Sequence, residues 1–339
     1  MSELFVEVTR GPLVESAHAI AACAIDRLGR TILEVGDIDA PVYLRSTAKP
    51  FIAAAAVRAG VVERFGLESR EVAVMAASHA GESFHVERVR SILKKIGLPE
   101  SALQCGPHAP YNASAAAELV RRGEAFSAIH NNCSGKHAGI LALCVVLGSD
   151  PATYMDVNNG AEQEILAFCA RATDAAPAEL TLGIDGCGIP VFAVPLRQAA
   201  LAFMRFATLG GLAEPDARAL ETVRSAMVQH PLYVAGTGEF DSVLMEVLEG
   251  VHACKGGAEG VHGDAALRAG LGLVVKVLDG ARRAVAPAVI ELLDELGVLD
   301  RHVREQLEGF AAPNIVNRAG RVVGAIRTRR AMSPKTRTS

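Results

Sequence analysis

Two short hairpins stand near opposite ends of this 339-residue chain, and most of what lies between them has helical periodicity. Near the start, apolar runs at residues 19–25 and 31–35 flank a polar turn, Asp26-Arg27-Leu28-Gly29-Arg30. Near the end, runs at 315–316 and 322–326 flank Asn317-Arg318-Ala319-Gly320 in the same way. In between, 51–59 is alanine-rich, and 84–96 sets Val86, Val89, Ile92, Leu93 and Ile96 on one stripe. Residues 138–147, 161–172, 217–228, 265–278 and 286–296 follow the same helical logic, with short extended runs at 182–184, 191–194 and 251–253. Strands at both termini around a helical middle predict an α+β fold. Its antiparallel sheet has the N- and C-terminal strands as neighbours, covered by a helical layer.

The core of such a fold must come from Ala, Val, Leu and Ile, because half the chain is hydrophobic while only 4% is aromatic and tryptophan is absent. No repeat, linker or charge block divides the chain, so residues 1–326 read as one unit. The basic run from Arg327 to Arg337 lacks hydrophobic periodicity, which predicts a frayed tail over 327–339. A net charge of −4 gives no general attraction to nucleic acid or to an anionic membrane. The start lacks the basic-then-apolar layout of a secretory signal, and the longest uncharged apolar stretch, 138–148, is about half of a membrane crossing. Seven cysteines, odd in number and widely spread, predict reduced thiols in a cytoplasmic protein.

Five segments carry candidate chemistry. In Arg45-Ser46-Thr47-Ala48-Lys49-Pro50, a serine and a lysine three apart at a helix opening can share one face. A neutral lysine amine can then take the serine proton. Alone this spacing is weak, since Ser91 and Lys94 repeat it inside an amphipathic helix. Ser78-His79-Ala80-Gly81-Glu82 follows an apolar run and suits a backbone held close to a ligand. Asn131-Asn132-Cys133-Ser134-Gly135-Lys136-His137 leads into a helix but lacks the first glycine of a phosphate loop, which excludes nucleotide binding. Asp185-Gly186-Cys187-Gly188 is a glycine-laced turn, and spacing alone makes Cys133 and Cys187 two buried structural thiols. Cys254-Lys255-Gly256-Gly257 places a lysine where it lines a pocket floor or a solvated turn.

In this order the five segments resemble the bacterial serine-nucleophile L-asparaginases, the zinc-containing type of rhizobia (asparaginase II). The resemblance runs from Val14 to Ile326. It implies a fold similar to serine β-lactamases and glutaminases, a homodimer, and L-asparagine as the small-molecule substrate. It also implies two Ser–Lys pairs, Ser46 with Lys49 and Ser78 with Lys255, and one zinc ion on Cys133, Lys136 and Cys187. Some zinc-containing relatives have a cysteine where this chain has Asp241. On this reading Ser46 is the nucleophile, Lys49 its base, and Ser78 with Lys255 a relay to the leaving ammonia. Arg45, His137 and Asp185 grip the substrate's α-carboxylate and α-amino groups. A glutaminase or broader amidase at the same site is the alternative. A penicillin-recognising enzyme lacks support because no later Ser-Asp-Asn or Lys-Thr-Gly appears. A non-catalytic zinc protein would leave the serines and lysines without reason to converge.

Overall fold

Leu4, Val6 and Val8 alternate with Glu3, Phe5 and Glu7, a period of two that turns one set of side chains inward. In the computed structural model, which describes residues 2–332, this segment is strand β1 (Ser2–Arg10). The first predicted hairpin follows as β2 (Leu13–Ile25) and β3 (Thr31–Val35). Then come β4 (Pro41–Tyr43), β5 (Thr181–Ile184), β6 (Pro190–Pro195), β7 (His252–Gly256), β8 (Val261–Ala266) and β9 (Leu271–Val277). The second predicted hairpin is β10 (Asn314–Val316) and β11 (Val322–Met332).

The fold is α+β. Its main sheet runs β10-β11-β1-β3-β2-β9-β8-β7, with β1 also paired directly to β2. First and last strands are neighbours, antiparallel from Ser2↔Met332 to Val8↔Ile326. The sheet is antiparallel except where β1 meets β3 at Ser2↔Val35. A second sheet of three strands, β4-β6-β5, stands apart from it and was not expected. One buried apolar cluster links sheet and helices, from Leu4 to Ala311. Among the described residues, no helix is long and apolar enough to cross a membrane.

Two expectations need correction. Residues 265–278 form not a helix but the end of β8, a turn and β9. The β-branched Val274, Val275 and Val277 favour the pleated surface. Gly272 decides the packing, because a Cβ there would lie 2.1 Å from Met204 N, in the backbone of the Leu196–Thr208 helix. That helix, unread in the sequence, lies directly on β9. The basic tail does not begin at 327 either: residues 327–332 continue β11, with Glu7 opposite Arg327 in the register. Arg329 pairs with the Glu7 carboxylate, and Thr328 Oγ1 donates to Glu291 Oε2 at 3.1 Å. Arg330 pairs with Glu295. Acidic partners convert a basic run into an ordered strand. Residues 333–339 lie outside the described residues.

Candidate active site

The small sheet presents two of the five segments together. Leu44 N donates to Phe192 O at 3.1 Å, so β4 runs beside β6 until the chain turns at Arg45. Arg45 has φ 51°, a left-handed backbone that a non-glycine residue adopts under constraint. Ser46 is half-buried in the 3-10 turn Arg45–Ala48, one residue group before the Lys49–Arg58 helix, with Pro50 in its first turn. On the far side of the sheet β5 leads into the Asp185–Gly188 turn, closed by Gly188 N donating to Asp185 O at 2.8 Å. Arg45 reaches across to this turn, donating to Asp185 Oδ1 from Nε at 3.0 Å and Nη2 at 2.8 Å. Burial would raise the Asp185 carboxyl, but Lys136, the Gly186 N–H and Arg45 hold it below the usual range.

Lys49 is buried, and its Nζ has three acceptors: Ala77 O at 2.6 Å, Ser78 Oγ at 2.9 Å and Asn132 O at 3.5 Å. Its hydroxyl partner is therefore Ser78, not Ser46 as the spacing suggested. Burial lowers its amine to about 8; the Cys133 thiolate opposes this, and the Lys136 and Lys255 cations add to it. Ser78 is fixed by its own N–H on Val234 O at 3.0 Å and by its neighbour His79 N on Asn132 O at 3.1 Å. His79 is a structural residue, with Nε2 2.9 Å from Ser134 Oγ and Nδ1 accepting from Gly81 N at 3.2 Å.

Cys133, Lys136 and Cys187 do come together. Lys136 Nζ donates to Cys187 Sγ at 2.9 Å, and the two thiols are hydrogen-bonded to one another. That bond from Cys187, against burial and with help from Lys49 and Lys136, holds Cys133 well below the ordinary thiol range. The Cys187 thiol is raised by the same hydrogen bond and by burial. Two sulfurs and one nitrogen gathered in this way are donor types that a tetrahedral zinc ion takes. The donor set fits the metal.

His137 is placed differently from the expectation. Its Nδ1 lies 2.6 Å from Tyr154 Oη, burial pushes the imidazole well below its usual range, and Nε2 has no partner among the described residues. Arg45, Asp185 and His137 line no part of the large cavity of about 740 Å³. Ser46, Ser78, Asn132, Lys255, Asp241 and His262 do. Gly257 brings the β7 end against the Ser46 turn: a Cβ there would meet Leu44 O at 3.2 Å and Thr47 N at 3.3 Å.

Lys255 is buried and donates to Gly256 O at 2.7 Å and Asp241 Oδ2 at 3.3 Å, so its partner is a carboxylate rather than Ser78. Behind it runs a chain the sequence reading missed. His262 Nε2 lies 3.1 Å from Asp241 Oδ1 and its Nδ1 2.8 Å from Asp264 Oδ2. Asp264 Oδ1 is 3.0 Å from His252 Nε2. Burial would lower His262, but Asp264 and Asp241 raise it well above its usual range. Burial would likewise raise Asp241, but Lys255, His262 and the Gly256 N–H hold it far below the carboxylate range. Spacing His262 and Asp264 two apart on a strand was the available signal.

Known proteins supply the remaining comparison. No curated protein sequence matches the chain. Among solved structures, Mglu is 17% identical over 82% of this chain and 67% of its own, with TM-score 0.37. Mglu in 4.3 M NaCl is 18% identical over 83% of this chain and 62% of its own, with TM-score 0.38. A putative beta-lactamase from Bacteroides dorei DSM 17855 is 15% identical over 81% of this chain and 93% of its own, with TM-score 0.43. The chain spans about two thirds of the Mglu chains. The profile of the family described as L-asparaginase II matches residues 6–328. With nearly the whole chain matched, this protein belongs to the L-asparaginase II family of amidohydrolases.

Proposed function

We propose that this amidohydrolase is an L-asparaginase, cleaving the side-chain amide of L-asparagine to L-aspartate and ammonia through a serine ester. One observation carries the reading: a buried amine, Lys49 Nζ, lies 2.9 Å from the hydroxyl of a cavity-lining serine, Ser78. Two carbonyls, Ala77 O and Asn132 O, accept two N–H groups. A neutral amine then has its lone pair left for the hydroxyl proton. Ser46 Oγ attacks the amide carbon and its proton passes to Lys49 by way of Ser78. Backbone N–H groups hold the oxyanion. The C–N bond breaks, the proton moves to the leaving nitrogen, and water hydrolyses the β-aspartyl ester to restore Ser46. Arg45 and Asp185 line a smaller pocket with Lys49 and Lys136, and they take up the amino-acid zwitterion if the substrate reaches past Ser46 from the large cavity and exchanges their mutual ion pair for its carboxylate and ammonium.

A second reading makes Ser78 the nucleophile, and the same 2.9 Å contact favours it. Acid-quenching the enzyme with asparagine and mapping the ester by peptide mass separates the two. The first reading expects the adduct on Ser46 and a loss of roughly three orders of magnitude in kcat for Ser46→Ala. An adduct on Ser78 moves the nucleophile there, and unchanged turnover in both alanine variants removes serine chemistry altogether. Rates on asparagine and glutamine, taken side by side, distinguish an asparaginase from a broader amidase.

Cys133, Lys136 and Cys187 would hold one zinc ion, with a fourth position left for water or substrate. Bound there, the ion would act as a Lewis acid beside the Arg45–Asp185 pair. Lys136 must lose its proton to join it, and the two sulfurs that now raise its amine against burial are the groups the metal would take over.

A further inference from the structure

We propose that Asp241 is a positioning residue for this reaction, holding Lys255 as a hydrogen-bond donor toward the cavity, and that the buried chain His262–Asp264–His252 keeps Asp241 in place. The inference rests on the asparagine hydrolysis proposed above. It gives Lys255 a different part from a proton acceptor paired with Ser78.

The geometry is that of a clamp. Lys255 Nζ spends two of its three donors inside the protein, on Gly256 O at 2.7 Å and Asp241 Oδ2 at 3.3 Å. The third is left for the cavity that Lys255 lines together with Ser46 and Ser78. Asp241 cannot swing away. Its Oδ2 also accepts from Gly256 N at 2.7 Å, and its Oδ1 is held by His262 Nε2 at 3.1 Å. A ring with a carboxylate on each nitrogen donates from both, so His262 ties Asp241 to Asp264. Asp264 is 0% exposed and is secured in turn by His252, also 0% exposed. Cys254 closes the cluster from β7, its Sγ donating to Asp241 O at 3.5 Å. Neutral packing would fill this space at less desolvation cost. Two carboxylates and two imidazoles in series make sense where the direction of one amine matters.

The charged and titratable groups facing Asp241 are Lys255, Cys254 and His262, with Asp264 and His252 behind and Glu239, Arg282 and Arg283 on the same cavity wall. The test is the Asp241→Asn variant, which keeps the shape and removes the charge. It should keep the KM for asparagine but lose roughly 10–100-fold in kcat, and its Tm should fall because an amide has one acceptor atom where the carboxylate uses two. A packing role alone would lower Tm and leave the kcat of the folded variant in place. His262→Gln, which acts on Lys255 through Asp241, should give the same loss of kcat at unchanged KM in smaller measure and serves if the first variant does not fold. Wild-type kcat in either folded variant would overturn the proposal. A wild-type enzyme that leaves asparagine intact would instead overturn the reading beneath it.

Discussion

Three lysines, Lys49, Lys136 and Lys255, are each no more than 2% exposed, and each is tolerated because named acceptors meet its amine. Their partners differ: carbonyls and a hydroxyl for Lys49, a sulfur for Lys136, a carboxylate for Lys255. The sulfur case predicts about one zinc per chain by elemental analysis of the purified protein. Cys133→Ser should abolish it, and a metal-free wild type would discard the site. The carboxylate case predicts a stability profile. Burial would raise Asp264, but His262 and His252 keep it below its usual value. A lowered carboxyl contributes stability in full above its unfolded value of ~3.9, and loses it as pH falls through the folded value. His262, raised, contributes in full below ~6.5 and loses it as pH rises through its folded value. Urea unfolding across pH should therefore find the chain most stabilising between ~4 and ~6.5, with Asp264→Asn flattening both flanks. An identical profile in that variant would show the chain to be uncoupled. His262, Asp264 and His252 carry no motif in the sequence, because the helical pattern of 265–278 hides the hairpin that puts His262 and Asp264 on one strand face. Ser46, Ser78, the three lysines and both metal-candidate cysteines were legible as motifs. Who touches whom was not, since spacing of three says nothing about which hydroxyl an amine selects.

At the level of elements, the site is an edge problem. Ser46 sits on a turn between the small sheet and the Lys49–Arg58 helix, and the end of β7 is pressed against that turn at Gly257. Gly257→Ala places a methyl at 3.2 Å from Leu44 O and 3.3 Å from Thr47 N, close enough to shift the turn by a few tenths of an ångström. The expected outcome is a loss of roughly tenfold or more in kcat at a stability cost of about 1 kcal/mol, read by parallel kinetics and urea unfolding. A variant with wild-type kcat would mean the turn is not held by β7. The hairpins at both ends could be placed from their turns. The Leu196–Thr208 helix could not, because the glycine it packs on, Gly272, falls inside the stretch 265–278 whose pattern predicts a helix.

The whole molecule closes on itself through β1 and β11. Seven register pairs join them, from Ser2↔Met332 to Val8↔Ile326, and six involve residues 327–332. Glu7 shows what that closure does. It is 6% exposed, and Arg329 and Arg327 neutralise it from across the strand pair. Arg329 also lies 4.9 Å over the Phe5 ring. Ending the chain after Ile326 would strip these partners together, leave the edge of β1 unpaired, and strand Glu7 with its charge. Removing one side of a mostly buried pair costs roughly 3–5 kcal/mol, tempered here because both arginines are about half exposed. The truncated chain should lose several kcal/mol in urea unfolding and gain rapid amide exchange across β1. Ending it after Met332 should change neither. Kinetics separates this role from catalysis. Material of the shorter chain that remains folded should keep its KM and kcat, because none of the 327–332 residues lines the cavity. Equal stability of the chains ending at 326 and 332 would mean that the sheet holds β1 without its basic partner.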